Sequence, residues 1–321
     1  MIAVTGASGL LGRHLVDNLV AGGHSVKVIV RREDVRFPAG ASVHVADVLD
    51  PIGLSQALKG ATAVIHAAGL VSFNPRRRDE IFAVNVEGTR NVVNGCLEVS
   101  VPVLVHISSV SALGRKPGEP VTESDPWTGM FQNDYSRSKY LAELEAFRGG
   151  EEGLNVSVVN PSVILSGDPV HRSSGSLFDY VWRERPFYTS GTLNYVDVRD
   201  VADAVDKLIR APRPGERFIL SGGSVPYKSF FENVASHWKK RTPSVRIPSV
   251  VVRAVGLAEE MRGWFTGREP LVTRHSAAMT VRNFKYDTAK ARKELGLVFR
   301  ELDDTLAWCC DRYAQEITGN K

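Results

Sequence analysis

The chain has 321 residues, 43% hydrophobic and 24% charged, and a formal net charge of +4. That balance belongs to an ordinary globular protein, long enough for one large α/β unit and a smaller appended region. So slight a positive excess argues against nucleic acid as a partner, and no apolar run is long enough to span a bilayer, so no membrane is expected.

Cysteine usage points the same way. Cys96, Cys309 and Cys310 are odd in number, with two of them adjacent. They form neither a disulfide framework nor a metal-ligand spacing, so no metal is expected and a cytoplasmic setting is. Met1 leads straight into a strand-like run, so a secretory signal is not expected.

In chain order, the first predicted strand is Ile2–Thr5 and the first helix Leu10–Ala21. Between them lies Thr5-Gly6-Ala7-Ser8-Gly9-Leu10-Leu11-Gly12, with glycines at three-residue intervals. Gly6 permits a tight strand-to-helix turn, Gly9 lets backbone approach a pyrophosphate, and Gly12 allows close helix–sheet packing. The helix start then offers free N–H groups and the positive end of its dipole to phosphate. The second strand, Val26–Val30, runs into Arg31-Arg32, with Glu33 and Asp34 following. Arginine at that point forks onto a ribose 2′-phosphate, which favours NADP, with NAD as the alternative. A third strand, Val43–Val45, precedes Asp47 and Val48, where Asp47 is placed to reach an adenine.

A helix over Ile52–Lys59 and a strand over Ala63–His66 come next, followed by Ala67-Ala68-Gly69. A long helix is predicted over Arg78–Val99, with Asn85 inside it. The fifth strand, Val103–Ile107, ends in Ser108-Ser109, at the carboxyl edge where open α/β sheets bind ligands. The next helix, Tyr135–Phe147, places Tyr135 and Lys139 one turn apart on one face. An ammonium there is expected to lower the phenol's pKa and ready it for proton transfer. A strand over Val156–Val159 leads into Asn160-Pro161-Ser162-Val163. Short Val-rich runs alternating with helices predict a Rossmann-type, doubly wound parallel sheet of the α/β class.

After Pro161 the periodicity loosens, and Gly167–Gly191 reads as an excursion. A strand at Tyr195–Val198, a helix at Val201–Arg210 and a strand at Arg217–Leu220 follow. Helices are then predicted over Tyr227–Lys240, Val250–Phe265, Thr288–Glu294 and Thr305–Gln315. The expected division is a dinucleotide-binding domain over 1–166, rejoined by 193–224, and a mostly helical substrate region over 167–192 and 225–321. Helix Val250–Phe265 has an apolar stripe interspersed with Arg253, Glu259, Glu260 and Arg262. It suits packing over the substrate cleft or the small domain, or lying on a membrane or partner.

On these residues, from Thr5-Gly6 to the final helices, the chain resembles the extended branch of the short-chain dehydrogenase/reductase family. Ile65-His66-Ala67-Ala68-Gly69 and Asn85-Val86-Glu87-Gly88-Thr89 fit the same pattern. The resemblance implies that Ser109 positions substrate, Tyr135 is the general acid/base, and Lys139 holds the nicotinamide ribose. Asn85 would anchor a proton-relaying water. His66 to Gly69 and Ile107 would line the cofactor, with Asn160 to Val163 closing over the nicotinamide.

Val30-Arg31-Arg32, Asn160 to Ile164, and Tyr286-Asp287 with Lys290 and Glu294-Leu295-Gly296 look most like dihydroflavonol reductases and hydroxysteroid dehydrogenases. Those relatives imply reduction of a ketone or aldehyde, or oxidation of the matching alcohol, on a rather apolar small molecule. Phe73, Val110, Trp127, Phe131, Phe178, Trp182, Phe187 and Tyr188 are candidates for the substrate pocket. Pairing into a homodimer would use the helices that start near Arg78 and Tyr135. Two other readings stay open: a nucleotide-sugar epimerase or dehydratase with bound NAD, suggested by Arg76-Arg77-Arg78, and a dinucleotide-sensing protein without chemistry. Dehydratases of this kind carry an Asp-Glu pair where this chain has Val110-Ser111, and the intact Ser109, Tyr135 and Lys139 argue against the second.

Overall fold

The computed structural model describes residues 1–32, 35–116, 118–129, 133–169, 174–266 and 284–319. Seven parallel strands form the main sheet: β1 (Ile2–Thr5), β2 (Val26–Val30), β3 (Ala41–Val45), β4 (Ala63–His66), β5 (Val103–Ile107), β6 (Asn155–Pro161) and β10 (Glu216–Leu220). Their spatial order is β3-β2-β1-β4-β5-β6-β10. The order reverses between β1 and β4, and this opens a crevice beyond the carboxyl ends of the strands. The inner strands are short aliphatic runs buried on both faces, as parallel sheets require. Register sets Thr5 beside His66 and His66 beside His106, so one polar row lies along the carboxyl edge.

Helices cover both faces. One core packs α1 (Leu10–Ala21) and α7 (Val198–Arg210) against the sheet through Leu15, Val16, Val201 and Val205. The other packs α2 (Pro51–Leu58), α4 (Gly88–Glu98) and α5 (Asp134–Glu151) through Leu54, Leu58, Val92 and Ala146. A second sheet of three strands comprises β7 (Val163–Leu165), β9 (Thr192–Asp197) and β11 (Gly223–Pro226). It belongs to a smaller region with α6 (Gly175–Trp182), α8 (Tyr227–Trp238) and the C-terminal helix Leu302–Gly319. Phe187–Tyr188 (β8) and Val245–Arg246 (β12) make a short ribbon, followed by α9 (Ser249–Thr266).

The structure differs from the sequence reading in three places. The helix expected over Arg78–Val99 is three pieces: Arg78–Phe82 (α3), a π-helical turn at Ala83–Glu87, and α4. Such a bulge re-aims one side chain, here Asn85, inside an otherwise regular helix. The α5 helix starts at Asp134, where Asn133 and Ser136 form reciprocal caps: Asn133 Oδ1 accepts from Ser136 N at 2.7 Å, and Asn133 N donates to Ser136 Oγ at 3.0 Å. Strand β9 pairs with β7 and β11 rather than joining the main sheet, whereas β10 does join it. The chain also returns late to the larger core, through Ala291, Leu295, Leu297 and Phe299.

Candidate active site

The first turn is crowded in a way only glycine tolerates. Gly6 has φ +68°, and a Cβ there would lie 2.5 Å from the amide nitrogen of Ala68. A Cβ on Gly12 would lie 2.1 Å from the Gly6 carbonyl oxygen, so its role is packing against the turn itself. Gly9 caps α1 without a side-chain hydrogen bond, and no acidic residue occupies the first turn of that helix. Ser8 and Gly9 are exposed and Leu11 is buried, with Leu10 between. The helix start, free of acidic residues and exposed at Ser8 and Gly9, fits a dinucleotide pyrophosphate in sign.

Beneath the turn runs a directed chain of hydrogen bonds. Thr89 Oγ1 donates to the Asn85 carbonyl at 2.6 Å, so it accepts from His66 Nε2 at 3.0 Å. His66 Nδ1, left as an acceptor, takes the Thr5 hydroxyl proton at 2.8 Å, and Thr5 Oγ1 accepts from Ala68 N at 3.3 Å. Burial, and then the charge of Lys139, hold the His66 pKa at about 3, so the ring is neutral and its tautomer fixed. The chain ties the glycine turn, the Ala67-Ala68-Gly69 segment and the π-helical turn together. Asn85 also grips Leu70 twice, accepting from its N–H at 2.7 Å and donating to its carbonyl at 3.0 Å. It donates as well to Ser138 Oγ at 2.8 Å, which fastens this loop to α5.

At the end of β5, Ser109 Oγ accepts from Ser111 N at 3.2 Å and from Ser111 Oγ at 2.9 Å. With its oxygen accepting twice, the Ser109 hydroxyl is set to donate its own proton outward. The half-buried Tyr135 phenol lies beside both serines, whose hydroxyls favour its ionised form. Its pKa is raised, because burial outweighs the lowering by those hydroxyls. This corrects the expectation that Lys139 lowers it: Lys139 Nζ instead donates to the Ile107 carbonyl at 2.7 Å. Burial lowers the Lys139 pKa to about 8, against a raising influence from Glu143. The Phe73 ring stands edge-on to Tyr135, with centroids 6.0 Å apart.

Glu143 was missed in the sequence, although it continues the helical spacing of Tyr135 and Lys139 by one turn. It is almost fully buried, bridged by Asn160 Nδ2, and accepts from Arg217 Nη1 at 3.2 Å. The same Asn160 nitrogen donates to the Ser109 carbonyl at 3.0 Å. Asn160 Oδ1 and the Ser162 hydroxyl are buried without a hydrogen-bond partner among the described residues, as expected where a ligand completes the shell. Pro161 is buried beside them and Val163 is 40% exposed.

The adenine end is looser. Arg31 and Arg32 are exposed immediately after the buried Val30. Asp47 is half-buried and accepts locally from Leu49 N at 3.0 Å, while Val48 is buried and its carbonyl accepts from Asn91. Glu33, Asp34 and Phe131 lie outside the described residues.

Three proposed substrate residues belong to packing instead. Phe178 is wholly buried, with Phe230, Tyr313 and Trp238 around it at 5.9–6.3 Å. Trp182 packs edge-on to Trp238 at 5.0 Å, with Lys240 over its ring. Val110 is buried in a cluster with Leu113, Val121 and Ile219. Trp127 stacks on Tyr140, and Tyr188 packs against the smaller core. Phe178, Trp182 and Tyr188 were absorbed by a second core, which composition alone does not announce.

Comparison with known proteins follows the same lines. Residues 3–151 match the 3-beta hydroxysteroid dehydrogenase/isomerase family. Sterol demethylase protein B of Methylococcus capsulatus is 30% identical, over 96% of this chain and 98% of that protein. A putative dihydroflavonol 4-reductase of Synechocystis is 29% identical, over 95% and 92%. The crystal structure of gox2253 superposes with a TM-score of 0.84 at 30% identity, covering 98% of both chains. MoeE5, solved with UDP-glucose and NAD, superposes at 0.79 with 21% identity over 98% and 99%, a likeness of fold.

Proposed function

This chain belongs to the extended short-chain dehydrogenase/reductase family and is an oxidoreductase of that type; on that premise we propose that it moves hydride between NADP(H) and the carbonyl or alcohol carbon of a fairly apolar small molecule. The observation that carries the reading is the grouping at the carboxyl end of β5 of the paired Ser109 and Ser111 hydroxyls, the Tyr135 phenol beside them and the Lys139 amine on the Ile107 carbonyl. When bound, the nicotinamide supplies or accepts the hydride. The Ser109 hydroxyl, with its oxygen doubly occupied by Ser111, donates to the substrate carbonyl oxygen and polarises it. Tyr135, kept protonated by burial, gives that oxygen its proton in reduction and takes it back in oxidation. Lys139 is within reach of Gly69 and the end of β5, where it would hold the nicotinamide ribose. Asn85 fixes the loop opposite.

On this reading residues 1–166, joined by α7, β10 and the Ala291–Phe299 stretch that packs on the larger core, hold the dinucleotide, and the second sheet with α6, α8 and the C-terminal helix forms the substrate side. The cofactor preference rests on Arg31 and Arg32, exposed at the end of β2. Replacing Tyr135 with Phe should cut turnover by about 10²–10⁴-fold and leave NADPH affinity, read by fluorescence titration, nearly unchanged. Full activity in that variant would end the proposal. Arg31→Asp should raise the KM for NADPH by about tenfold or more while sparing NADH; equal effects on both would overturn the preference. Protein that purifies with tightly held NAD would move the assignment to an epimerase.

A further inference from the structure

Helix α9 turns its apolar side to solvent. Val252, Gly256 and Gly263 fall on one face and are buried against the protein. The opposite face carries Val250, Val251, Ala254, Val255 and Ala258, all exposed, with Val250 at 74%. A surface helix of a globular protein ordinarily does the reverse and sends its charges outward. Just ahead of it, Phe187 and Val245 are paired in register in the β8–β12 ribbon, and both are exposed.

The stretch of chain leading into this face is basic, with Glu184 accepting from Arg241 N at 2.9 Å and Glu259-Glu260 following Ala258. From Asn233 to Ala258 the sequence holds Lys239, Lys240, Arg241, Arg246 and Arg253 and no acidic residue. Lys239, Arg241 and Arg246 are exposed. No helix among the described residues is long and apolar enough to cross a membrane.

We propose that the Val250–Ala258 face of α9, with the basic tract before it, docks on an anionic lipid surface. Valines would enter the boundary between headgroups and acyl chains while Lys239, Arg241 and Arg246 meet the phosphates; this is how interfacial helices bind. A second copy of the chain is a poorer occupant, because a symmetric interface would set this cationic tract near its own equivalent. The placement has a consequence for the active site. Helix α9 packs against the Pro75–Arg77 turn, and Phe73, just before that turn, stands against Tyr135. Docking would therefore set the neighbourhood of Phe73 behind α9, one helix away from the bilayer, and an apolar substrate could reach it from the lipid. That consequence rests on the proposed reaction; the docking itself does not.

The test is flotation of the full chain with vesicles of phosphatidylcholine, with and without phosphatidylglycerol. The wild type should float with the anionic vesicles and release at high salt. Val250→Glu with Val251→Glu, at solvent-facing positions, should weaken partition by about tenfold or more with an unchanged thermal melt. Lys239→Glu with Arg246→Glu should abolish the preference for anionic lipid. The proposal is overturned if wild type stays in solution with both vesicle types, or if both double variants float as well as wild type. It is also overturned if light scattering shows that the valine substitutions dissolve a dimer while wild type does not float, since the face then belongs to a second copy.

Discussion

Two buried regions of this molecule are built from opposite materials. Under the glycine turn, Thr5, His66, Thr89 and Asn85 form a chain of hydrogen bonds whose donors and acceptors all run one way. In the smaller region, Phe178, Trp182, Trp238 and Tyr313 fill volume with rings at 5.0–6.3 Å. The first arrangement fixes atoms at the edge of a cleft; the second resists collapse and directs nothing. Of the aromatic residues considered, Phe73 stands against Tyr135 and Phe178 is enclosed by other rings, so only Phe73 is placed where the proposed reaction would meet substrate.

The sharpest way to break that distinction is Phe178→Ala. Truncating a ring so deeply enclosed should cost about 3–5 kcal/mol of stability, read from the urea midpoint. The KM of the protein that stays folded should hold at its wild-type value. A raised KM with little loss of stability would return Phe178 to the pocket.

A somewhat smaller effect is expected where the two materials meet, at Glu143. Glu143→Gln leaves Arg217 without its buried carboxylate partner and should cost about 3 kcal/mol. It also removes the charge that raises the Lys139 pKa, so that pKa should fall further below about 8. If turnover requires the protonated lysine, the alkaline limb of the kcat profile should move to lower pH. A variant with lower stability but an unmoved limb would make Glu143 structural only.

The larger region was legible because its signals are local. Val4, Val28, Ile65 and Val105 sit in short buried runs whose length and composition allow little but inner strands. Gly6 and Gly12 announce a turn that a Cβ would fill. Strand β9 lies in the 193–224 segment expected to rejoin the dinucleotide-binding domain, yet it pairs in the second sheet; pairing partners are a property of topology, and no feature of Thr192–Asp197 names β7 and β11. The π-helical turn at Asn85 and the orientation of Lys139 toward Ile107 escaped for a related reason. Each depends on contacts between segments far apart in sequence. Glu143 was within reach, since helical spacing from Tyr135 through Lys139 leads to it, but a carboxylate on an amphipathic helix reads first as solvated surface.

The gentlest expected change is at Phe73, which is 38% exposed with its ring edge-on to Tyr135. Partial exposure means that Phe73→Ala should alter the urea midpoint by less than about 1 kcal/mol. An aromatic edge against a bound apolar substrate contributes about 0.5–1.5 kcal/mol beyond the area it covers, so KM for a bulky ketone should rise about three- to tenfold. Turnover at saturation should hardly move, because Phe73 meets the Tyr135 ring by its edge and exchanges no proton. A fall in kcat with constant KM would mean that the ring holds Tyr135 in place rather than contacting substrate. The line drawn here between aromatic residues that recognise and those that fill would then have to be redrawn through the site itself.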